Sequence, residues 1–189
     1  AADHFLVVDR ATGHTLEQRP AGSESGGSGD ALTVYKYQWR SVVLADAETG
    51  KGKWRFAPGG FVAGQPGLAG DQVLLNDAEG SLYCLDSENG QTRWRYPVPD
   101  GLRGSPAAGS GTVYTGDTAG RLHAVDATTG EARWIFQAEE REDRAYQFFS
   151  TATETGDRVY VGAASGYLYC LDRRDGALLW KEPLSDWVR

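Results

Sequence analysis

The chain has 189 residues, with 26 acidic against 19 basic side chains and a net charge of −7. Binding to nucleic acid through counterion release needs clustered Lys and Arg, so this balance excludes a general phosphate-binding surface. No apolar run approaches the ~20 residues of a membrane-spanning helix. One domain of this length can bury about 70% of its unfolded surface. The composition includes 25 Gly, 6 Trp and no Met. Without Met, the sequence reads as a processed or excised product from which any signal segment is gone. Its two Cys, Cys84 and Cys170, are too few for a disulfide scaffold or a four-Cys zinc site.

An internal repeat dominates the chain. A degraded copy comes first, FLVVDRATGHTLE, with Asp9 and Gly13 in register and Glu17 where later copies carry Trp. It predicts a partial blade over residues 3–18. Residues 21–29 (AGSESGGSG) have the composition of a linker. Four full copies follow, about 31–56, 61–96, 103–136 and 149–182, and then a tail, 183–189. In each full copy an Asp precedes a Gly by four residues, and the Gly precedes a Trp by four. The Trp residues are Trp54, Trp94, Trp134 and Trp180, at intervals of 40, 40 and 46.

Each copy reads as strands and tight turns. Val113–Gly116 and Arg121–Asp126 are short β-type runs around Asp117-Thr118-Ala119-Gly120, and a second turn at Asp126–Gly130 leads into a strand ending at Trp134. The Gly in both turns supplies positive φ. Ser105–Gly109 fits a further strand, and Pro106 confines it to a sheet edge. Four antiparallel strands per ~40 residues is the arithmetic of a β-propeller. Apolar residues on both faces of Arg121–Asp126 favour blades stacked face to face over a two-sheet sandwich. The fold class is therefore all-β: one β-propeller or propeller fragment over 1–189, built of four-stranded antiparallel blades with four complete repeats and a partial one.

The pattern A-x-D-x-x-T-G-x-x-x-W, met in full by Ala124–Trp134, resembles the tryptophan-docking motif of the PQQ-repeat (quinoprotein-like) β-propeller family. Ser105-Pro106 matches the family's inner-strand signature. The resemblance covers residues 33–182 well and 3–18 weakly. It implies that Trp54, Trp94, Trp134 and Trp180 lock neighbouring blades, each indole N–H finding a backbone acceptor. Propellers of the family usually have seven or eight blades. This chain is then part of a larger ring, or closes with an incomplete blade pairing 3–18 with the tail, or associates with a second copy.

Chemistry is sparse. No nucleophile-elbow, zincin, Walker or dinucleotide motif occurs, and no catalytic residues are assigned. His123 falls in the packing slot of Val43, Tyr83 and Tyr169, which marks it as structural. His4 and His14 have no partners at metal-ligand spacing. The acidic run Glu139–Arg144 lacks the spacing of a calcium loop. Quinoprotein dehydrogenases of the family use an adjacent Cys pair and acidic calcium ligands, and this sequence has no adjacent Cys pair. The resemblance therefore carries no PQQ, calcium or other cofactor onto this chain. Other relatives are non-catalytic: scaffolds for outer-membrane β-barrel insertion, and exocytoplasmic sensor domains of receptor kinases. They imply a non-enzymatic scaffold for protein partners in the periplasm or outside the cell, with no nucleic-acid partner. The alternatives are a piece of a PQQ-dependent oxidoreductase and a small-ligand sensor.

Candidate partner-binding residues are Trp39, Arg40, Arg103, Tyr146, Phe148 and Phe149. Arg40 stands where later copies place the turn Gly, so this turn is expected to present Trp39 and Arg40 outward. The connection from Phe136 to Arg158 is six residues longer than its two counterparts. It carries Tyr146, Phe148 and Phe149 beside a charged tip, and aromatic and Arg residues dominate binding hot spots. In register, Phe149 matches Arg103, just ahead of the innermost strand.

Overall fold

The computed structural model describes residues 4–8, 15–20, 32–37, 40–46, 51–139 and 150–184, with side chains described from residue 40 onward. Among these the chain is all-β. The first sheet contains β1 (His4–Val8), β2 (Thr15–Pro20), β3 (Leu32–Tyr37), β4 (Ser41–Asp46) and β5 (Gly52–Phe56). The second contains β6 (Val62–Ala69), β7 (Gln72–Asp77), β8 (Ser81–Asp86) and β9 (Thr92–Pro97). The third contains β10 (Ala107–Ala108), β11 (Thr112–Gly116), β12 (Arg121–Asp126) and β13 (Ala132–Gln137). The fourth contains β14 (Thr153–Thr155), β15 (Arg158–Ala163), β16 (Tyr167–Asp172) and β17 (Leu178–Pro183). Every pairing is antiparallel, and sheets two to four each follow chain order from first strand to last.

The repeat fixes the register of each blade. The two outer strands carry a bulge at the same place in every copy: Leu44/Ala45, Cys84/Leu85, Ala124/Val125 and Cys170/Leu171. Just before the bulge, the Trp faces the residue across the ladder, as in Cys84 with Trp94 and Ala124 with Trp134. The turn between these strands closes through the Asp amide, which donates to the residue after the Gly: Asp46 to Lys51, Asp86 to Gln91, Asp126 to Glu131 and Asp172 to Ala177, at 2.8–3.0 Å.

The core lies between blades. Val42 and Leu44 of the first blade meet Val73, Leu75, Tyr83 and Leu85 of the second. Leu74, Leu82, Cys84 and Trp94 of the second meet Val113 and Val125 of the third. Leu122, Ala124 and Trp134 of the third meet Val159, Val161, Tyr169 and Leu171 of the fourth. A two-sheet sandwich would give one such layer; three stacked layers need both faces of the inner blades to be apolar. Cys84 and Cys170 are free and buried.

The degraded N-terminal copy joins the first sheet. Its hairpin keeps a bulge, at Val7/Val8, but β1 pairs with β3 and takes the inner-strand position of the first sheet, which becomes five-stranded. The physical reason is the free edge of β3: unpaired N–H and C=O groups along a strand are a template for the nearest hairpin. With Glu17 in the Trp slot, that hairpin has no indole with which to dock as a separate blade. Residues 185–189 of the tail lie outside the described residues.

Candidate functional site

In a four-stranded antiparallel blade, the turn between the second and third strands and the connection to the next blade fall at the same end. We term that end the connection face. The other two turns fall at the opposite end, the turn face.

The turn face is occupied by the blade locks. Trp54 Nε1 donates to Ser87 O at 3.0 Å, Trp94 to Ala127 O at 2.9 Å and Trp134 to Arg173 O at 2.9 Å. In each case the acceptor is the residue directly after the repeat Asp of the following blade. The turn Gly lies flat under the indole of the preceding blade. A Cβ at Gly90 would meet the Trp54 ring at 2.7 Å, and one at Gly176 would meet Trp134 at 2.5 Å. Their φ values, 74° and 73°, also favour Gly. Trp94 and Trp134 are 8% exposed, whereas Trp180 is 37% exposed and leans on Tyr160 at 6.0 Å between ring centroids.

Charge on this face is consumed locally. Arg93 bridges Asp71 (2.7 Å) and Asp86 (2.6 Å), Arg133 binds Asp126 (2.7 Å), and Arg174 binds Asp172 (2.8 Å). The hydrogen bonds from Arg133 and Arg174 bring the Asp126 and Asp172 carboxyls down to about 2. Glu154 on β14 joins the third and fourth blades, accepting from Ser110 N (2.9 Å) and Tyr114 Oη (2.7 Å). Burial opposes its ionisation, but those donors outweigh burial and lower its pKa. The same arrangement raises the Tyr114 phenol, first through burial and then through the carboxylate it serves.

On the connection face, two buried carboxylates hold turns. Asp77 accepts from Ser81 N (2.8 Å) and Tyr83 Oη (3.2 Å). Asp117 accepts from Arg121 N (2.8 Å), Arg121 Nε (2.6 Å) and His123 Nε2 (3.0 Å). A carboxylate only accepts, so His123 donates from Nε2, and its Nδ1 shares a hydrogen bond with Tyr96 Oη of the preceding blade at 3.1 Å. Both ring nitrogens are thus engaged. Arg121 extends the network to Asp100. Burial pushes Asp117 up, and His123 and Arg121 more than reverse it, so its pKa is lowered. Among the described residues, no three His, Cys, Asp or Glu side chains stand together as a metal site, and no helix is long and apolar enough to cross a membrane.

Beyond these networks the face is open. Phe61, ahead of β6, is 53% exposed, and the exposed Arg40 places its guanidinium 4.7 Å from the Phe61 ring centroid. Arg103, in the connection to β10, is exposed at the same end. Lys181 pairs with Glu139 at the start of the third connection. Trp39, Tyr146, Phe148 and Phe149 lie outside the described residues. Phe61 was not among the sequence-derived candidates. Its only signal was a large aromatic directly after Gly59-Gly60, where a connecting segment has no core to fill.

Repeat, register and indole locks define a PQQ-type β-propeller. The chain belongs to the family described as outer membrane protein assembly factor BamB, whose model matches residues 4–150 and 145–189. The solved structure of BamB from Moraxella catarrhalis is similar at 26% identity and a TM-score of 0.69, over 91% of this chain and 57% of that one. A computationally designed protein, Ika8, matches at 15% identity and 0.69, over 91% and 51%. Quinohemoprotein alcohol dehydrogenase from Comamonas testosteroni matches at 16% and 0.68, over 99% and 38%. The chain therefore spans between about two fifths and three fifths of these propellers' lengths. No curated protein matches the sequence.

Proposed function

We propose that the chain is a non-catalytic scaffold that binds a protein partner through its connection face, outside the cytoplasm. The observation that carries this reading is the contrast between the two ends of the blades. On the turn face Arg93, Arg133 and Arg174 are held by carboxylates of their own blades, while the connection face presents Phe61 under Arg40, with Arg103 exposed at the same end. Exposed aromatic and Arg side chains give large contact area with little ordering cost, and neighbouring acidic charge steers encounter more than it holds a complex. Family membership supports assembly of outer-membrane proteins as the setting. The same membership supports a periplasmic or extracellular placement.

The rival reading, a piece of a PQQ-dependent oxidoreductase, draws on fold likeness to the quinohemoprotein dehydrogenase. The residues offer it little. The carboxylates of the connection face, Asp77 and Asp117, are held by Ser81, Tyr83, Arg121 and His123.

The test is photo-crosslinking in cells of a bacterium that makes the protein. A crosslinking residue is placed at Phe61 or Arg103, and for comparison at Glu88 or Arg174 on the turn face. Defined adducts from the first pair alone are expected. Adducts from neither pair, or equally from both, would contradict the reading. A saturable quinone absorption band on adding PQQ and calcium would favour the oxidoreductase.

A further inference from the structure

The second and third blades hold their connection-face turns with one device. Asp77 Oδ1 accepts from Ser81 N (2.8 Å), and its Oδ2 from Tyr83 Oη (3.2 Å). Asp117 Oδ1 accepts from Ala119 N (2.9 Å) and Arg121 N (2.8 Å), and its Oδ2 from Arg121 Nε and His123 Nε2. One oxygen thus serves backbone amides and the other serves side chains. In the fourth blade the same position is Ala163, which keeps the Cβ and lacks the carboxylate. We infer that the turn from Ala163 to Tyr167 binds a free one-carbon carboxylate, formate or an anion of its size and shape, in the place of that side-chain group.

The turn keeps the shape that surrounds the carboxylate in the other blades. Gly166 N donates to Ala163 O at 2.9 Å, as Gly80 N does to Asp77 O and Gly120 N to Asp117 O. The φ of Gly166, 84°, lies between the 78° of Gly120 and the 96° of Gly80. Leu184 N closes onto Gly166 O at 2.7 Å, as Ala138 N closes onto Gly120 O at 2.9 Å. Turns of one shape direct their amides alike, so Ser165 N stands where Ala119 N reaches Asp117 Oδ1. Tyr169, fully buried, stands in the slot from which Tyr83 and His123 donate to Oδ2. Ser165 is wholly buried, whereas Glu79 at the same place in its turn is exposed. The Ser165 hydroxyl has no hydrogen-bond partner among the described residues. Burying a hydroxyl without a partner is costly, and an acceptor at the carboxylate position removes that cost.

Charge and size select the ligand. Each of these blades places a cation beside the slot. Arg95 lies over the Tyr83 ring at 5.5 Å in the second, and Arg121 binds Asp117 in the third. In the fourth, Lys181 faces Tyr169 across the ladder, with Nζ 5.1 Å from the Tyr167 ring centroid. It is bound there to Glu139, whose side chain is 61% exposed. Asp and Ala differ by one carboxylate group, which is the size of formate. Ala163 and Ser165 are both buried, which disfavours a longer acid. Two separate sets of donors suit the two oxygens of a carboxylate better than one spherical halide.

Thermal melts of the 189-residue chain at pH 7 in sodium formate, against sodium chloride at the same concentration, test this. Formate is expected to raise the melting temperature saturably beyond chloride, and acetate to do so less. Ala163→Asp supplies the carboxylate from the chain itself and should abolish the response to formate. Ser165→Ala removes one donor while relieving an unpartnered hydroxyl, so it should fold and bind formate at least tenfold more weakly. If Ala163→Asp does not fold, Ser165→Ala decides alone. Equal effects of formate and chloride, or a formate response retained by either folded variant, would overturn the inference. Partner capture at Phe61 does not enter these melts, so either reading can fail without the other.

Discussion

Trp134 is sandwiched between its own blade and Gly176 of the next, with its indole N–H bonded to Arg173 O. Truncating it removes a buried aromatic and leaves a cavity that a stiff sheet cannot collapse into, so Trp134→Ala should cost about 3–5 kcal/mol. Trp180, in the same slot but 37% exposed, should cost clearly less. Denaturant melts of the two variants at low protein concentration check this, and equal losses would contradict the directional lock. Cys84 makes a second residue-scale case. Burial pushes its thiol up to about 12, so iodoacetamide at pH 8 should leave it unmodified in the native protein and alkylate it in denaturant. The indole slots were legible in the sequence because spacing repeats four times and physics demands the same contact each time. The slot of His123 was legible too, but not its partners. Tyr96 and Asp117 come from different blades, and a contact made once leaves no periodic trace.

At the scale of elements, the connection-face turns depend on carboxylates that must stay ionised. Asp117 has a lowered pKa in the fold, so its contribution is fully present above the unfolded value, about 3.9. It is lost as pH falls through the folded value. Glu154 behaves in the same sense, from about 4.3 downward. Melting temperature should therefore drop as pH is lowered from 5 to 3. Asp117→Asn should start lower at pH 7 and lose less over that range; a variant with the full wild-type pH slope would refute the assignment. Four-strand blades and positive-φ turn glycines could be read from Asp, Gly and Trp spacing. The place of the N-terminal hairpin could not. Its sequence specifies two strands and a bulge, but which edge it joins is decided by which edge is free, and β3 offers one.

The whole molecule separates structure from contact. One end of the blades carries the indole locks; the other, besides the Tyr96–His123 bond between blades, leaves an Arg-stacked Phe61 and Arg103 exposed. Arg40 was legible because a departure from a repeat stands out against it, and Arg103 because it shares a register position with Phe149. Phe61 escaped notice because the connection it belongs to has the same length as its neighbour, so only the aromatic after Gly59-Gly60 marked it. The central claim is that Phe61 and the exposed side chains around it bind a protein partner while contributing little to stability. The most direct measurement is the affinity of the crosslinked partner, once purified, for the parent chain, for Phe61→Ala and for Tyr146→Ala with Phe148→Ala, alongside the melting temperature of each. Capture weakened at least tenfold, about 1.4 kcal/mol, with melting within a few degrees of the parent is the predicted result; unfolding of the variants, or unchanged affinity, would contradict it.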